Sequence, residues 1–300
     1  MKLSSDNMFL KKSKIALAQI SAVLGDVEKN AKHHAELAAK AKAQGADAII
    51  FPELSLTGYT LRDLNNEVAL DPETSLLLED LRRLSKEITI ICGGVERDKT
   101  GGVSNAAFVF EDGQCKHTHH KIYPPTYGIF EEERYFLSGN NVLAYDSSTL
   151  GRIGVLVCED LWHPSLPYML AYQGAQLIIT IAASPTRLAI GEDANGDVPQ
   201  NYTVNSEHHI AYARLFSFYL AFVNRVGVED GVNFWGGSQV VSPNGEVINR
   251  ATFFDEDLLY VDIDPKEILH ARESSRHMLD ENLLLTQQML AETIEVSRRR

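Results

Sequence analysis

The chain contains few cysteines, no long apolar run and no surplus of basic residues. Cysteine occurs three times in 300 residues, as Cys92, Cys115 and Cys158. This odd, widely spaced set argues against a disulfide framework and a tetrathiolate zinc site. No stretch reaches membrane-spanning length, and the first residues lack the apolar core of a signal peptide. We therefore expect a soluble cytoplasmic protein. If one of its cysteines has a functional role, we expect that role to depend on the reactivity of the thiol.

The charge and length of the chain narrow its class further. Its formal net charge is -13 at pH 7, whereas nucleic-acid binding needs a concentrated basic surface. With 44% hydrophobic residues, a chain of this length can bury a large core. We expect one large domain over residues 1–275, followed by a C-terminal tail over residues 276–300.

Apolar periodicity predicts the main secondary-structure elements. Runs rich in Ile and Val predict buried strands, and apolar residues at helical spacing predict helices. The predicted strands cover residues 14–20, 46–51, 88–95, 103–110, 152–157 and 176–182, and the predicted helices cover residues 26–44 and 75–87.

Two turn sequences predict antiparallel hairpins in this otherwise alternating pattern. EDG at 111–113 separates the strand 103–110 from residues 115–121, and PNG at 243–245 separates residues 237–241 from 246–251. A mixture of strand-helix-strand units and hairpins favours mixed sheets packed face to face with helices outside. The sequence therefore predicts a layered α/β sandwich.

Two further segments stand apart from this core. The turn-forming sequence GEDANGDVPQ at 191–200 is a candidate flap over a substrate site. The last twenty residues predict an amphipathic helix that packs either on a neighbouring subunit or on its own subunit.

The first candidate reactive group is Cys158, at the end of an apolar strand in RIGVLVCEDLWHP, residues 152–164. A thiolate at such a turn can meet a substrate while nearby backbone N–H groups stabilise an oxyanion. A buried structural cysteine is the alternative.

Glu53 and Lys121 are the second and third candidates. Glu53 follows an apolar strand in FPELSLTGY, residues 51–59, and is either a general base or a capping or salt-bridged glutamate. Lys121 ends a hairpin strand in HHKIYPPTYGIFEEERYF, residues 119–136. Held among carboxylates it would stabilise a negatively charged intermediate, and otherwise it would be a solvated strand lysine.

These three segments together resemble the nitrilase, or carbon-nitrogen hydrolase, superfamily, whose pattern is a Glu after a strand, a Lys after a hairpin, and a Cys-Glu or Cys-Asp pair after a third strand. The resemblance covers nearly the whole chain and extends to AASP at 182–185, VNRVG at 223–227 and WGGS at 235–238. It implies a four-layer α-β-β-α sandwich of two mixed sheets.

Within the superfamily, the LTGY, PTYG and CEDLW strings most resemble the glutamine-hydrolysing amidase domain of glutamine-dependent NAD synthetases. The sequence lacks an ATP-binding fingerprint after the hydrolase segment, so we expect a stand-alone amidase. Residues 191–205 also differ from what a glutaminase site would carry, which puts glutamine in doubt as the substrate.

The resemblance implies a mechanism in which Glu53 deprotonates Cys158 and the thiolate attacks an amide carbon. Lys121 and the backbone N–H of Glu159 would stabilise the oxyanion, ammonia would leave, and a water deprotonated by Glu53 would hydrolyse the thioester. A further glutamate would orient Lys121 or the substrate. Its place in FEEERYF favours Glu132.

Glu131 and Glu133 are the alternatives to Glu132. This chemistry requires no cofactor and no metal, because the thiolate replaces the metal-bound hydroxide of other amidases. A substrate carboxylate would suit Arg187, and a substrate ammonium would suit Glu159 or Asp160. The candidate substrate-binding residues are Tyr59, Tyr127, Glu159, Trp162, Ser184 and Arg187.

Three close histidines, His117, His119 and His120, could in principle bind zinc. On a strand, however, His117 and His119 share one face and His120 lies on the other, and no ligand at suitable spacing completes the set. We therefore expect these three histidines to be half-exposed residues of a strand.

Three functions are therefore in competition. The leading one is hydrolysis of a small linear amide, glutamine-like or aliphatic. An N-carbamoyl-amine or N-carbamoyl-amino-acid hydrolase would use the same three residues, and a catalytically silent metabolite-binding scaffold would not need an activated cysteine. The resemblance also implies a homodimer or larger assembly.

Overall fold

The computed structural model describes residues 11–186 and 200–298. Arg187 and residues 191–199 of the predicted flap lie outside this part of the chain. The strands, in chain order, are β1 (Ser13–Gln19), β2 (Ala48–Ile50), β3 (Thr89–Arg97), β4 (Val103–Glu111), β5 (Gln114–His120), β6 (Tyr145–Ser147), β7 (Gly151–Val157), β8 (Leu177–Ala182), β9 (Pro185–Thr186), β10 (Tyr219–Asn224), β11 (Val226–Glu229), β12 (Val232–Trp235), β13 (Gln239–Val241), β14 (Val247–Arg250) and β15 (Asp257–Ile263).

Eight α-helices accompany these strands in the described residues. The first begins and ends at sequence signals: the Asp26 side chain accepts a hydrogen bond from the Lys29 N–H, and Gly45 follows the helix with a φ of +78°. The helices are α1 (Val27–Ala43), α2 (Asn65–Val68), α3 (Glu79–Leu84), α4 (Ser165–Tyr172), α5 (Gln200–Phe216), α6 (Pro265–Ser274), α7 (His277–Asp280) and α8 (Leu283–Ser297).

Two six-stranded mixed sheets form the centre of the fold. The first has the order β15-β1-β2-β3-β4-β5, with β1, β2 and β3 parallel, and the second has the order β14-β13-β10-β8-β7-β6, with β10, β8 and β7 parallel. The strands β9, β11 and β12 make a small third sheet. The candidate reactive residues all follow strands of these two sheets: Glu53 follows β2, Lys121 follows β5 and Cys158 follows β7.

The sheets are buried on both faces, which explains their nearly continuous apolar sequences. In β1, Ile15 and Leu17 pack between the two sheets, while Ala16 and Ala18 pack toward α1 and α3. In β8, Ile179 belongs to the layer between the sheets, and the neighbouring side chains pack toward α4 and α5. Helices therefore cover the outer face of each sheet, and the predicted four-layer α-β-β-α sandwich of two mixed sheets is confirmed.

The structure confirms the six predicted strands and both predicted hairpins, with small shifts at the ends. The predicted helix 26–44 is also confirmed as α1. The predicted helix 75–87 is shorter: Ser75 has an extended backbone, and a 3₁₀ turn at Leu76–Leu78 precedes α3. The strands β6, β9 to β12 and β15 and the helices α2 and α4 to α7 were not predicted.

The C-terminal helix predicted from the last twenty residues is present as α8, which Asn282 caps through a hydrogen bond from the Leu285 N–H. None of its described residues is buried, and Leu284 is 79% exposed. Almost all described residues of this helix are therefore exposed in the single chain. Packing on a neighbouring subunit stays a prediction.

No helix in residues 11–186 and 200–298 combines the length and the apolar character needed to cross a membrane.

Candidate active site

Cys158 stands at the first position after β7 and opens a 3₁₀ turn, Cys158–Trp162. Its φ is +48°, a left-handed backbone conformation that is rare for residues other than glycine and often marks a functional turn. The apolar strand therefore ends abruptly and the cysteine is held at the point where the chain reverses.

Glu53 lies just after β2, in a turn whose next residue, Leu54, also has a positive φ of +49°. The turn packs tightly on β3: a Cβ added at Gly93 would lie 2.4 Å from the Leu54 nitrogen and 2.8 Å from the Glu53 Cα. Glu53 is completely buried. Only glycine at position 93 leaves room for this turn.

The Glu53 carboxylate accepts hydrogen bonds from both large sheets. Its Oε1 accepts from Asn105 Nδ2 at 2.7 Å and from Lys121 Nζ at 2.8 Å, and its Oε2 accepts from the Ala183 N–H at 2.7 Å. Three donors hold the buried carboxylate in one orientation. The salt bridge of Glu53 is therefore part of a buried polar cluster and not of a solvated loop.

Lys121 is 1% exposed and lies between two carboxylates. Its Nζ is 2.8 Å from Glu53 Oε1 and 2.8 Å from both oxygens of Glu132, whose Oε1 also accepts from the Tyr59 hydroxyl at 2.5 Å. Burial alone would lower the pKa of Lys121, but the charges of Glu132 and Glu53 outweigh it and raise that pKa well above its usual value. Lys121 is a buried cation.

Glu132, rather than Glu131 or Glu133, is the glutamate that reaches Lys121. It is 5% exposed, whereas its two neighbours are exposed. Burial and the nearby Glu53 raise the pKa of Glu132 despite its contact with Lys121. The choice of Glu132 from the FEEERYF string thus agrees with where the structure places the three glutamates.

The Cys158 thiol shares the environment of this cluster. Burial and the negative charge of Glu53 raise the pKa of the thiol well above its usual value, although Lys121 acts in the opposite direction. The resting thiol is therefore protonated at neutral pH and needs a base to become a nucleophile. Glu53 and Lys121 are the side chains that act most strongly on the pKa of this thiol.

A buried pair, His119 and Asp160, joins the segments that carry Lys121 and Cys158. His119 Nε2 lies 2.8 Å from Asp160 Oδ2, and the backbone N–H groups of Ile122 and Tyr123 donate to Asp160 Oδ1 at 2.9 and 3.1 Å. His119 is 3% exposed and Asp160 is completely buried. The expectation of a half-exposed His119 is therefore wrong, and Asp160 is not available to a substrate ammonium.

The other two histidines of this group lie in separate surroundings. His117 stacks on Tyr145, and burial lowers its pKa to about 4. His120 is hydrogen-bonded to Glu96 on the neighbouring part of the sheet. Among the described residues, no group of three or more His, Cys, Asp or Glu side chains is arranged to hold a metal ion.

The candidate substrate-binding residues fall into two places. Trp162 and Ser184 line a small cavity together with Cys158, and Ser184 Oγ accepts from Trp235 Nε1 at 3.1 Å. Tyr127 donates to Glu159 Oε2 at 2.8 Å near this turn. Tyr59 instead contacts Glu132 and lines a second cavity with it, and Arg187 lies outside the described residues.

Sequence reasoning missed three polar residues near the site. Asn105 lies inside β4, where a polar residue in the run VSNAAFVF was a usable signal of a buried polar contact. Asn205 and His208 belong to α5 and line the cavity beside Cys158. No local sequence pattern indicated a role for these two residues, because α5 reaches the site only through the packing of segments that are distant in the sequence.

The fold and the site define the class of this protein. A sandwich of two mixed sheets that buries a lysine between two glutamates, beside a cysteine on a strand-to-turn junction, corresponds to the nitrilase-like hydrolases. The protein-family model for carbon-nitrogen hydrolases matches residues 14–273 of this chain. The chain therefore belongs to the carbon-nitrogen hydrolase family.

Similar proteins include both larger and equally long members. The glutamine-dependent NAD(+) synthetase of Thermotoga maritima is 33% identical over 266 residues, which is 87% of this chain and 43% of that protein. The solved glutamine-dependent NAD+ synthetase of Acinetobacter baumannii has a TM-score of 0.74 and 31% identity, covering 86% of this chain and 47% of its own. This chain thus spans less than half the length of these synthetases.

The solved structure of a mutant amidase of the nitrilase superfamily from Nesterenkonia has a TM-score of 0.69 and 26% identity. The alignment covers 90% of this chain and 98% of the amidase chain. The hydrolase fold is therefore matched nearly end to end.

Proposed function

We propose that this protein is a thiol hydrolase that cleaves the C–N bond of a small linear amide through a thioester on Cys158 and releases ammonia. The observation that carries the proposal is the position of Lys121 Nζ, 2.8 Å from the carboxylates of both Glu53 and Glu132 in the buried environment of Cys158. In a buried site that excludes water, such charged groups stay oriented and stabilise a developing charge more strongly than they would in water.

In the proposed first step, Glu53 takes the proton of the Cys158 thiol and the sulfur attacks the amide carbon. Lys121 and the backbone N–H of Glu159 donate to the developing oxyanion. The tetrahedral intermediate collapses as the C–N bond breaks, and the proton held by Glu53 leaves with ammonia. A thioester remains on Cys158.

In the second step, Glu53 takes a proton from water, and the oxygen attacks the thioester carbon. The C–S bond breaks, the thiol recovers its proton, and the carboxylic acid product leaves. Glu132 keeps Lys121 oriented through both steps. Glu159, Trp162, Ser184 and Tyr127 surround the substrate in this proposal, and Tyr59 acts through its hydrogen bond to Glu132.

The experiment that tests the proposal is ammonia release from glutamine, short aliphatic amides and carbamoyl compounds, with Cys158→Ala as the inactive variant and Cys115→Ala as the matched control. We expect turnover that disappears with Cys158→Ala and persists with Cys115→Ala. Mass spectrometry of the protein mixed with substrate should show an acyl adduct on Cys158. Equal turnover in both variants would refute the proposal.

We also propose that the protein assembles as a homodimer or larger homo-oligomer. The support is α8, whose apolar side chains, including Leu284 and Leu290, are exposed in the single chain. Light scattering of the full chain and of a chain ending at Asp280 would test this. We expect removal of α8 to lower the mass per particle by more than the mass of the helix itself, because the assembly then contains fewer chains.

A further inference from the structure

A second cavity of about 360 Å³ has Tyr59 and Glu132 in its wall. We call it the Tyr59 cavity. Cys158 is not among its lining residues, so this cavity is distinct from the small one beside the thiol. Its volume lies at the lower end of the range for small-molecule sites, which suits a compact ligand.

Aromatic and aliphatic side chains form much of the Tyr59 cavity. Phe130, Tyr135 and Phe136 supply aromatic surface, and Ile129 and Val232 supply aliphatic surface. Such walls take up the alkyl part of a ligand, and the faces of aromatic rings also attract cations.

The charges around the cavity favour a cation. The cationic lining residue, Arg62, is already paired with Asp230 at 2.6 Å. Glu131 forms no ion pair within the described chain. Behind the wall, two carboxyl groups, those of Glu132 and Glu53, contact one lysine, Lys121, so acidic side chains outnumber basic ones in this buried cluster.

Two polar atoms in the cavity wall lack hydrogen-bond partners. Asn65 is 3% exposed and its Nδ2 donates to the Arg62 carbonyl at 2.7 Å, but its Oδ1 has no partner in the described structure. The hydroxyl of Thr60, also a lining residue, has none either. Buried acceptors without donors are costly and are usually satisfied by a ligand or solvent.

We infer that the Tyr59 cavity is a binding site for a small organic ammonium ion, a primary amine with a short alkyl chain. A primary ammonium has three N–H donors and no acceptor, which matches the amide oxygen of Asn65, the hydroxyl of Thr60 and a carboxylate. Its alkyl chain matches the aromatic wall. This site goes beyond the proposed hydrolase activity, because its occupancy needs no reaction at Cys158.

The test uses n-butylammonium chloride as the cation and n-butanol as its uncharged counterpart. Both are titrated into the full chain carrying Cys158→Ala, at ionic strength held constant with sodium chloride, and the melting temperature is followed by calorimetry. We expect a saturable rise with n-butylammonium, because a ligand that binds the folded state stabilises it. n-Butanol at the same concentrations should give no such rise.

Variants on either side of Glu132 separate a site from general attraction to an acidic protein. Glu131→Gln removes a lining charge, and Glu133→Gln removes an equally exposed charge that does not line the cavity. We expect n-butylammonium to bind about fivefold more weakly to Glu131→Gln and with unchanged affinity to Glu133→Gln.

A third variant, Thr60→Val, keeps the shape of the side chain and removes the unpartnered hydroxyl. We expect weaker binding of n-butylammonium without a lower melting temperature of the free protein. No saturable response in the Cys158→Ala background would overturn the inference. Equal affinities of Glu131→Gln, Glu133→Gln and Thr60→Val would overturn it as well, by showing that the response is not located in this cavity.

Discussion

His119 Nε2 and Asp160 Oδ2 lie 2.8 Å apart in the interior of the protein, and each is two residues from a member of the reactive cluster. His119 precedes Lys121 at the end of β5, and Asp160 follows Cys158 in the turn after β7. The hydrogen bond therefore links the first sheet to the second next to the site. Asp160 also accepts from the Val157 N–H at 3.2 Å, which fixes the start of the turn.

We expect Asp160→Asn to destabilise the protein by about 2–4 kcal/mol. Asparagine keeps the size of the side chain, but its Nδ2 would face another donor where the carboxylate accepted hydrogen bonds. The rate of ammonia release should also fall, because the Cys158 turn loses its link to the Lys121 strand. Urea unfolding measures the first effect, and steady-state kinetics measure the second.

The matched control is Asp146→Asn. Asp146 pairs with Arg152 at 2.8 Å, but its side chain is 57% exposed. Exposed ion pairs contribute little to the free energy of unfolding, so we expect Asp146→Asn to change it by less than about 1 kcal/mol. A loss in Asp146→Asn as large as that in Asp160→Asn would contradict the special role of the buried pair.

Glu132→Gln should reduce kcat/KM by about 100-fold, an effect typical of losing one oriented charged group from an active site. The neutral side chain no longer balances Lys121, so the ammonium is less well oriented toward the oxyanion. Glu133→Gln, which alters an exposed neighbour, should stay within about twofold of the wild type. Kinetics on the preferred amide measure both, and similar losses would remove the assigned role of Glu132.

The fold should lose stability in acid through buried histidines such as His34. Burial lowers the pKa of His34 from 6.5 to about 3, so the unfolded state binds a proton that the folded state does not. The stabilising effect is complete above pH 6.5 and is lost progressively as the pH falls toward 3. His34→Gln cannot titrate, so its loss of stability between pH 7 and 5.5 should be about 1 kcal/mol smaller than that of the wild type.

Urea unfolding at the two pH values gives this difference. His270→Gln is the control, since His270 is exposed on α6. His270→Gln should lose the same free energy of unfolding between pH 7 and 5.5 as the wild type. An unchanged pH dependence in His34→Gln would mean that His34 is not the group responsible.

Gly93→Ala should disturb Glu53 directly, because the added Cβ would overlap the Leu54 nitrogen and the Glu53 Cα. We expect a loss of about 1–3 kcal/mol in stability and a marked fall in kcat. Gly102→Ala is the matched control: its Cβ would approach the end of the exposed Leu137 side chain, which can move aside. Normal activity in Gly93→Ala would show that the Glu53 turn tolerates displacement.

The sequence was sufficient to predict the residues that follow a buried strand. Glu53 follows β2, Lys121 follows β5 and Cys158 follows β7, and polar residues at such points are visible as breaks in an apolar run. Their convergence was inferred from a family resemblance. Local patterns alone left each of the three with an ordinary alternative.

What the sequence could not show depends on contacts between distant segments. His119 is buried because Asp160, 41 residues later, meets its ring, and a strand pattern alone suggested a half-exposed side chain. The strand β15 pairs with β1 across about 240 residues, so no local signal places it in the sheet. The cavity residues of α5 were missed for the same physical reason.

The hydrogen bonds of Glu53 extend to both large sheets. Oε1 is held by Asn105 and Lys121 of the first sheet, and Oε2 by the Ala183 N–H just after β8 of the second. A change in the distance between the sheets would therefore lengthen at least one of these bonds. Substitutions deep in the core between the sheets, and mild heating, should reduce the reactivity of Cys158 while the protein as a whole remains folded.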